Sequence, residues 1–450
     1  MFRRVFPLPG GWSPSFSGWE GGEILARTME CGYLGTALAG WLLACLLGGG
    51  GLPGQPPAPS LGRLALEARS GDPARREAAL KALLARGEEG RRVLEEVLRE
   101  RTGKVRSGLR LLLASGSFRR ARSRLWRELL ERRKKALEWI LDPRSFRKGY
   151  GIREMLDRVG KVRELWEKPE VFLRKELKRL GGILEEAGRI SRWARAAGGP
   201  AGSGLEEECV ARIRKAAALE EAGIGKAQVR WNQEVLAWNE KDAPTSADSE
   251  EMLVMRSANQ YRLMMGMRAL EVDERIVRAA RKHSIEMAEM GYFSHTSPVK
   301  AHADFASRMR QEGYSGPLAE NIALARDGRR AFRAWFLSAG HHRNMLLARA
   351  TAFGVGRSRG RDGSFLWTMN LGAGDSLRGR TLEDPSLLYL QKRRRIGPGD
   401  AKAHLALAKW CLAKKLVREM CDQCRAALRI DPSLEEARRL LARRFDLKKR

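Results

Sequence analysis

Cysteine is scarce in this chain and badly spaced for a disulfide framework. The 450 residues contain six, at positions 31, 45, 209, 411, 421 and 424, and none lies between 210 and 410. A central domain stapled by disulfides is therefore excluded. His-Glu-x-x-His and Gly-x-Ser-x-Gly are absent, so neither a zinc-peptidase helix nor a nucleophile elbow is present. Zinc-finger spacing, a DNA-recognition helix and aromatic RNA-binding motifs are also missing, and nucleic acid is not an expected partner. Acidic residues are few: 54 Asp and Glu face 85 Lys and Arg, a net charge of +31. Between 60 and 240 the β-branched alternation of strands is nearly absent, which argues against a sheet there. Cys31 to Gly62 carries no charge, yet its apolar heart, Leu34–Leu47, is shorter than the ~20 residues of a membrane-spanning helix.

What is present points to several units. Hydrophobic residues make up 43% of the chain and tryptophans number 12, enough for real cores. Residues 1–59 combine the short apolar run with a Gly/Pro-rich segment from Gly48 to Pro57. That order reads as an export signal followed by a linker, with a short uncleaved anchor at 34–47 as the alternative. Two starts are compatible with it, Met1 and Met29. Leu42-Leu43-Ala44-Cys45 is a poor lipoprotein site, because Leu46 and Leu47 follow the cysteine directly. The expected location is the envelope or the extracellular space.

Residues 60–240 read as a basic, all-helical region that packs separately. Asp72-Pro73 is a helix start, and Leu80, Leu83 and Leu84 form one apolar face. Residues 101–150 hold 16 Lys and Arg against four Asp and Glu. This is either a solvated helix face or a surface for an anionic envelope polymer. The stretch 241–248 reads as a linker.

Three polar clusters interrupt the helical patterning further on: Gly291–Pro298 around His295, Ala319-Glu320-Asn321, and Ser338–Leu346 with His341 and His342. His295, Glu320 and His341 offer two imidazoles and a carboxylate, a set suited to a divalent metal, zinc or calcium, or to acid/base work near neutral pH. Asn321 and Asn344 are short amides able to bond nearby backbone and hold these loops together. His283 sits on a helix face with Met287 at i+4, as a packed residue behind the cleft. His342 points away from the cleft, and His302 and His404 have no assigned role.

Around these clusters runs a longer series of landmarks: Asn259-Gln260-Tyr261-Arg262, Gly266, Asp273, His283-Ser284-Ile285-Glu286-Met287, Arg308, Gly313-Tyr314, Phe353-Gly354-Val355-Gly356 and Phe365–Thr368. With them, residues 250–374 resemble the CAP (SCP) domain of cysteine-rich secretory and pathogenesis-related proteins, in its short bacterial form. The resemblance implies an α+β fold, a three-layer α-β-α sandwich that folds alone. It also implies that His295, Glu320 and His341 are cleft residues of the kind seen binding metal. Longer relatives carry a second glutamate three residues after a tryptophan; here Trp335 is followed at that spacing by Ser338, which leaves the fourth corner of the cleft without a ligand. Phe353–Val355 and Phe365–Leu371 are the expected strands, about a turn at Arg361-Asp362-Gly363.

After a linker at 375–400, residues 401–434 resemble a single tetratricopeptide repeat, the first part of a helical hairpin at 401–443 and a surface for a protein partner. One repeat cannot bury both of its faces, so it is expected to dock on the rest of the chain or on that partner. Cys421 and Cys424 invite a redox or zinc reading, but the repeat pattern makes Cys424 a core residue. Three functions stand open: an exported module binding lipid, peptide or wall glycan; a metal-dependent hydrolase; and an interaction scaffold with a vestigial cleft.

Overall fold

The computed structural model describes residues 58–145, 151–200, 202–379 and 381–442. The export or anchor expectation, made for residues 1–59, lies outside them but for its last two residues. Among the described residues no helix is long and apolar enough to cross a membrane.

The first half is helical: α1 (Leu61–Ala68), α2 (Pro73–Ala85), α3 (Gly87–Ala114), α4 (Gly116–Leu141), α5 (Gly151–Glu167), α6 (Pro169–Glu176), α7 (Lys178–Ala197), α8 (Leu205–Ala217) and α9 (Lys226–Lys241). Local chemistry sets several ends. Asp72 caps α2 by accepting from Ala74 N at 2.9 Å, with Pro73 in the first turn. Ser115 caps α4 through Phe118 N, and Gly198 closes α7 at φ 71°. On α3 the buried stripe Leu94, Val97, Leu98, Val105, Leu109 and Leu112 follows the helical period. On α4 the stripe Phe118, Ala121, Leu125, Leu129, Ala136 and Ile140 does the same, except that position 133 is an arginine.

That arginine corrects the expectation of separate packing. Arg133 is 4% exposed. Its guanidinium donates to Met264 O at 2.8 Å and Leu263 O at 3.2 Å, both in the second half of the chain, and to Ala222 O at 2.9 Å. It lies over the Trp166 ring, and burial pulls its pKa down to about 10. The helical half therefore docks on the domain that begins near Ser249.

The second half opens with α10 (Ser249–Met264), started by an Asp248/Glu251 capping box. Next come β1 (Glu271–Val272), α11 (Glu274–Met290), α12 (Phe305–Gln311), β2 (Pro317–Ala325), α13 (Gly328–Leu337), α14 (Ala339–Met345), β3 (Ala352–Arg359) and β4 (Phe365–Gly372). The expected strands fall inside β3 and β4. The sheet order is β1-β3-β4-β2, with β1 parallel to β3 and the other pairs antiparallel. This is an α+β fold, mostly helical with a small mixed sheet. The motif Phe353-Gly354-Val355-Gly356 has a steric cause: a Cβ on Gly354 would lie 2.3 Å from Val277 N, and one on Gly356 2.1 Å from Arg281 N. Helix α11 crosses β3 on that face at backbone contact, while Phe353 and Val355 point the other way and are buried.

The outer edge of β1 is sealed by α9. Asn239 accepts from Val272 N at 2.8 Å and donates to Leu270 O at 2.9 Å; Asn232 accepts from Ala269 N, and Trp231 donates to Ala269 O. Side-chain amides thus satisfy an edge that would otherwise be open. Segment 241–248, expected to be a linker, is also fastened: Ser246 N donates to Glu274 at 2.7 Å.

The 375–400 stretch, expected to be a linker, contains α15 (Pro385–Arg394), whose Arg394 donates to Asn239 O at 2.7 Å and Glu240 O at 2.8 Å. Helices α16 (Ala401–Ala413), α17 (Val417–Ile430) and α18 (Glu435–Ala442) end the described chain. The α16–α17 hairpin is flanked within the chain: Tyr389 and Leu390 of α15 and Ala437 and Leu440 of α18 join its core. His404 joins a buried relay in which it meets Gln423 at 2.7 Å and Gln423 donates to Tyr389 Oη at 2.8 Å. Cys411, Cys421 and Cys424 are buried free thiols, and burial pushes Cys411 up to about 12 and Cys424 up to about 11. Such thiols are poor nucleophiles and poor metal ligands.

Arg133→Ala should strip three backbone carbonyls of a charged donor and leave a cavity at the junction. We expect a loss of roughly 3 kcal/mol in urea denaturation. An unchanged midpoint would remove the anchoring role of this residue.

Candidate functional site

The site is assembled from the end of α11, the loop after it, α12, β2 and α14. Gly291 terminates α11 at φ 72°, and the chain turns into the 292–304 loop. Glu286, on the last turns of α11, fastens that loop by accepting from Tyr292 Oη, Ser297 Oγ and His302 Nε2. Burial alone would raise the Glu286 pKa, but these hydrogen bonds hold it below its usual range. Burial and the neighbouring carboxylate push Tyr292 up to about 12.

The fastened loop presents His295 to β2. His295 Nδ1 lies 3.0 Å from Glu320 Oε1, with half of its side chain exposed. Glu320 is almost wholly buried, and Arg308 of α12 compensates its charge, with Nη2 at 3.0 and 2.8 Å from the two carboxylate oxygens. Arg308 also donates to His295 O at 3.0 Å and to Ala303 O at 3.0 Å, which ties the loop to the same ion pair. Behind the pair, His283 is buried, donates from Nε2 to Ser294 O at 3.0 Å and sits 3.9 Å from Glu320 Oε1. Burial lowers its pKa, and Glu320 offsets part of that shift.

His341 closes the other side. Its ring centroid is 6.1 Å from that of His295. Burial lowers its pKa and the His295 ring adds to the shift. Helix α14 is held against β2 by amides: Asn321 Nδ2 donates to His341 O at 3.0 Å, and Asn344 Nδ2 donates to Asn321 Oδ1 at 2.8 Å. Ser338 joins α13 to α14 and makes no side-chain cap bond. His342 faces inward, fully buried. Its Nδ1 donates to Phe336 O at 2.6 Å, and its Nε2 accepts from Tyr261 Oη at 2.6 Å.

The structure therefore brings His295, Glu320 and His341 to one place, but Glu320 is committed on both oxygens. Among the described residues no group of three or more His, Cys, Asp and Glu side chains is arranged to hold a metal. The donors fit at most an open pair of imidazoles with Glu320 orienting one of them from behind. Two-nitrogen chemistry suits zinc and not calcium, which takes oxygen ligands.

Several residues of the site were not assigned by sequence reasoning. Arg308 lies 12 positions from Glu320, too far for any local rule to pair them. The Glu286 cluster spans a helix end, where periodicity no longer predicts contact, and it includes His302. Asn370 of β4 stands opposite Glu320 in register and is fully buried, with neither side-chain amide atom meeting a partner among the described residues.

Comparison with known proteins finds a family match over this part of the chain. The family model of the cysteine-rich secretory protein (CAP) family matches residues 255–371. Residues 255–371 form a CAP domain. In Bacillus subtilis, the uncharacterized protein YkwD is 34% identical over 116 residues, 25% of this chain and 44% of the relative. The uncharacterized membrane protein YlbC of the same organism is 33% identical over 114 residues, 25% of this chain and 32% of the relative. The matched stretch thus spans less than half the length of these curated relatives. Among solved structures, an extracellular SCP-domain protein of Bacillus anthracis shares 28% identity over 27% of this chain and 40% of its own, with a TM-score of 0.24. An outer surface protein of Borrelia burgdorferi shares 18% identity over 29% of this chain and 97% of its own, with a TM-score of 0.26.

The buried imidazoles make the CAP domain acid-sensitive in a defined window. Burial takes His342 from 6.5 down to about 4, so the unfolded chain binds a proton that the folded chain refuses. Stability from this group is complete above pH 6.5 and is lost as pH falls through 4. The loss amounts to about 3 kcal/mol, and His283 and His341 shift the same way. Urea midpoints measured across that range should fall accordingly in wild type. The His342→Gln variant, starting lower, should show a shallower decline. Parallel curves would show that His342 does not carry the effect.

Proposed function

We propose that this chain is an exported CAP-domain protein whose cleft binds a ligand without turning it over. The observation that carries the reading is the commitment of Glu320. With its carboxylate tied to Arg308 and His295, it serves to fix an exposed imidazole rather than to move protons or ligate metal. Phe293 and Met290, 53% and 52% exposed, flank the His295 loop and favour a ligand with an apolar portion. Lipid, peptide and wall glycan remain the classes in view. Among the described residues no activated serine or cysteine nucleophile accompanies the imidazoles, which weakens the hydrolase alternative. Export rests on the uncharged 31–62 segment. We read the helices about the sheet as the three-layer α-β-α sandwich of the family. We read 401–434 as a single tetratricopeptide-like unit whose remaining surface suits a protein partner, the basis of the scaffold alternative.

Zinc serves as a probe of the imidazole pair. Titrated into the full chain it should bind with micromolar or weaker affinity, be lost in His295→Ala and His341→Ala, and persist in Lys300→Ala on the same loop. Nanomolar affinity would mean a closed site and overturn the reading. Release of product from a fluorogenic peptide and glycan library, abolished by His295→Ala, would replace the binding module with an enzyme.

A further inference from the structure

A second surface lies on the helical half, away from the CAP cleft. Residues 101–127 contain nine Lys and Arg and no acid. Five of these are engaged within the chain. Arg101 pairs with Glu186, Lys104 with Glu100, Arg106 with Glu208 and Arg124 with Glu176, while Arg122 stacks on Trp126. Arg110, Arg119, Arg120 and Arg127 are exposed and have no carboxylate partner among the described residues.

Three of those four converge. A shallow hollow of about 310 Å³ on α4 is lined by Arg119, Arg120, Ser123, Arg124 and Arg127, with no acidic residue in its wall. It runs into a second hollow of about 660 Å³ that shares Arg124 and Arg127 and continues past Leu130 and Phe172 to Lys134. The acids lining that second part, Glu128 and Glu131, are each paired with a cation one turn on, Arg132 at 2.8 Å and Lys135 at 3.2 Å. Arg120, Arg124 and Arg127 stand at i+4 and i+3 spacings on one helix face, where like charges repel. Their steps along the axis are about 6 and 4.5 Å. Glu176 compensates Arg124, but Arg119, Arg120 and Arg127 around it have no carboxylate among the described residues, and a string of anions along the row would neutralise them.

We propose that this groove binds a linear phosphodiester polymer without bases. Guanidinium forks match phosphate oxygens two at a time, and every cation lining the first hollow is an arginine. A groove follows a chain better than it follows a flat membrane. Binding a nucleic-acid single strand requires aromatic platforms for its bases. Here one aromatic, Phe172, lines the groove, while Phe118 is buried and Trp126 donates Nε1 to Ala217 O at 2.8 Å beneath Arg122, so successive bases would find no row of platforms. The polymer is therefore read chiefly by its charge spacing. This site is independent of the His295–His341 cleft.

The test is fluorescence anisotropy on the full chain with a short synthetic poly(glycerol phosphate). Three neutralised phosphates at ~0.7 each predict about a 20-fold loss of affinity between ~50 and ~200 mM salt. The variant Arg119→Gln/Arg120→Gln/Arg127→Gln should bind at least about tenfold more weakly with a flatter salt dependence. It should melt no lower than wild type, since its repulsion is relieved. The control Arg326→Gln/Arg329→Gln/Arg349→Gln removes the same charge from the CAP domain and should change affinity by less than about twofold. Equal losses in both variants would reduce the effect to net charge and overturn the proposal. So would absence of binding, or tighter binding of oligothymidylate, polyglutamate or anionic vesicles than of poly(glycerol phosphate).

Discussion

The cleft depends on one buried ion pair. Taking a carboxylate out of water is tolerated only when charge and hydrogen bonds replace the lost hydration. Glu320 meets that condition through Arg308 and His295, and the two terminal nitrogens of Arg308 also donate to carbonyls of the loop that carries His295, at His295, His302 and Ala303. Helix α12, strand β2 and the 292–304 loop are thus positioned by the same few contacts. Losing either partner would leave an uncompensated charge in the interior, an effect of roughly 3–5 kcal/mol. Stability and site geometry cannot be separated at this point of the molecule.

Elsewhere in the CAP domain buried polar side chains are bonded largely to backbone groups. Arg262 donates to Met345 O at 2.8 Å and fixes the end of α14; Asn259 both accepts from Leu270 N and donates to Leu270 O. His342 belongs to this category, an imidazole used as a bridge between Tyr261 and the Phe336 carbonyl. Adjacent His341 faces the cleft. Helix geometry turns neighbours roughly 100° apart, so one histidine of the pair serves packing while the other is available to a ligand.

Strands β3 and β4, the order of the polar clusters and the place of the CAP segment were legible in the sequence, because strand alternation, turn residues and a long ordered series of landmarks are local signals; β1 was too short to show a period, and the Glu320 cluster, read as a loop, lies within β2. Docking was not legible in the same way. Leu125, Leu129, Ala136 and Ile140 announce an apolar face on α4, and Arg133 within it looks like a break in the pattern. In the structure it is the contact between two regions. Helix α15 was hidden by its setting among Gly, Pro and arginine-rich residues, which resembles a loop. The ion pair behind His295 was beyond reach, since nothing local relates Arg308 to Glu320. Sequence periodicity reports which face is buried; it is silent about the partners that buried charges find there.

Arg133 also bears on how this chain can change. A domain joined to its neighbour by apolar contact alone can be shuffled, since each new partner need only offer oil to oil. Here a cation from the helical half completes the hydrogen bonding of the CAP domain, and asparagines from α9 complete its sheet edge. Losing the helices would uncover those carbonyls and the sheet edge together, and losing the arginine alone would leave the carbonyls buried and unmet. Such dependence entrenches itself: each half becomes a condition of the other's survival, and the accretion is far easier to make than to reverse.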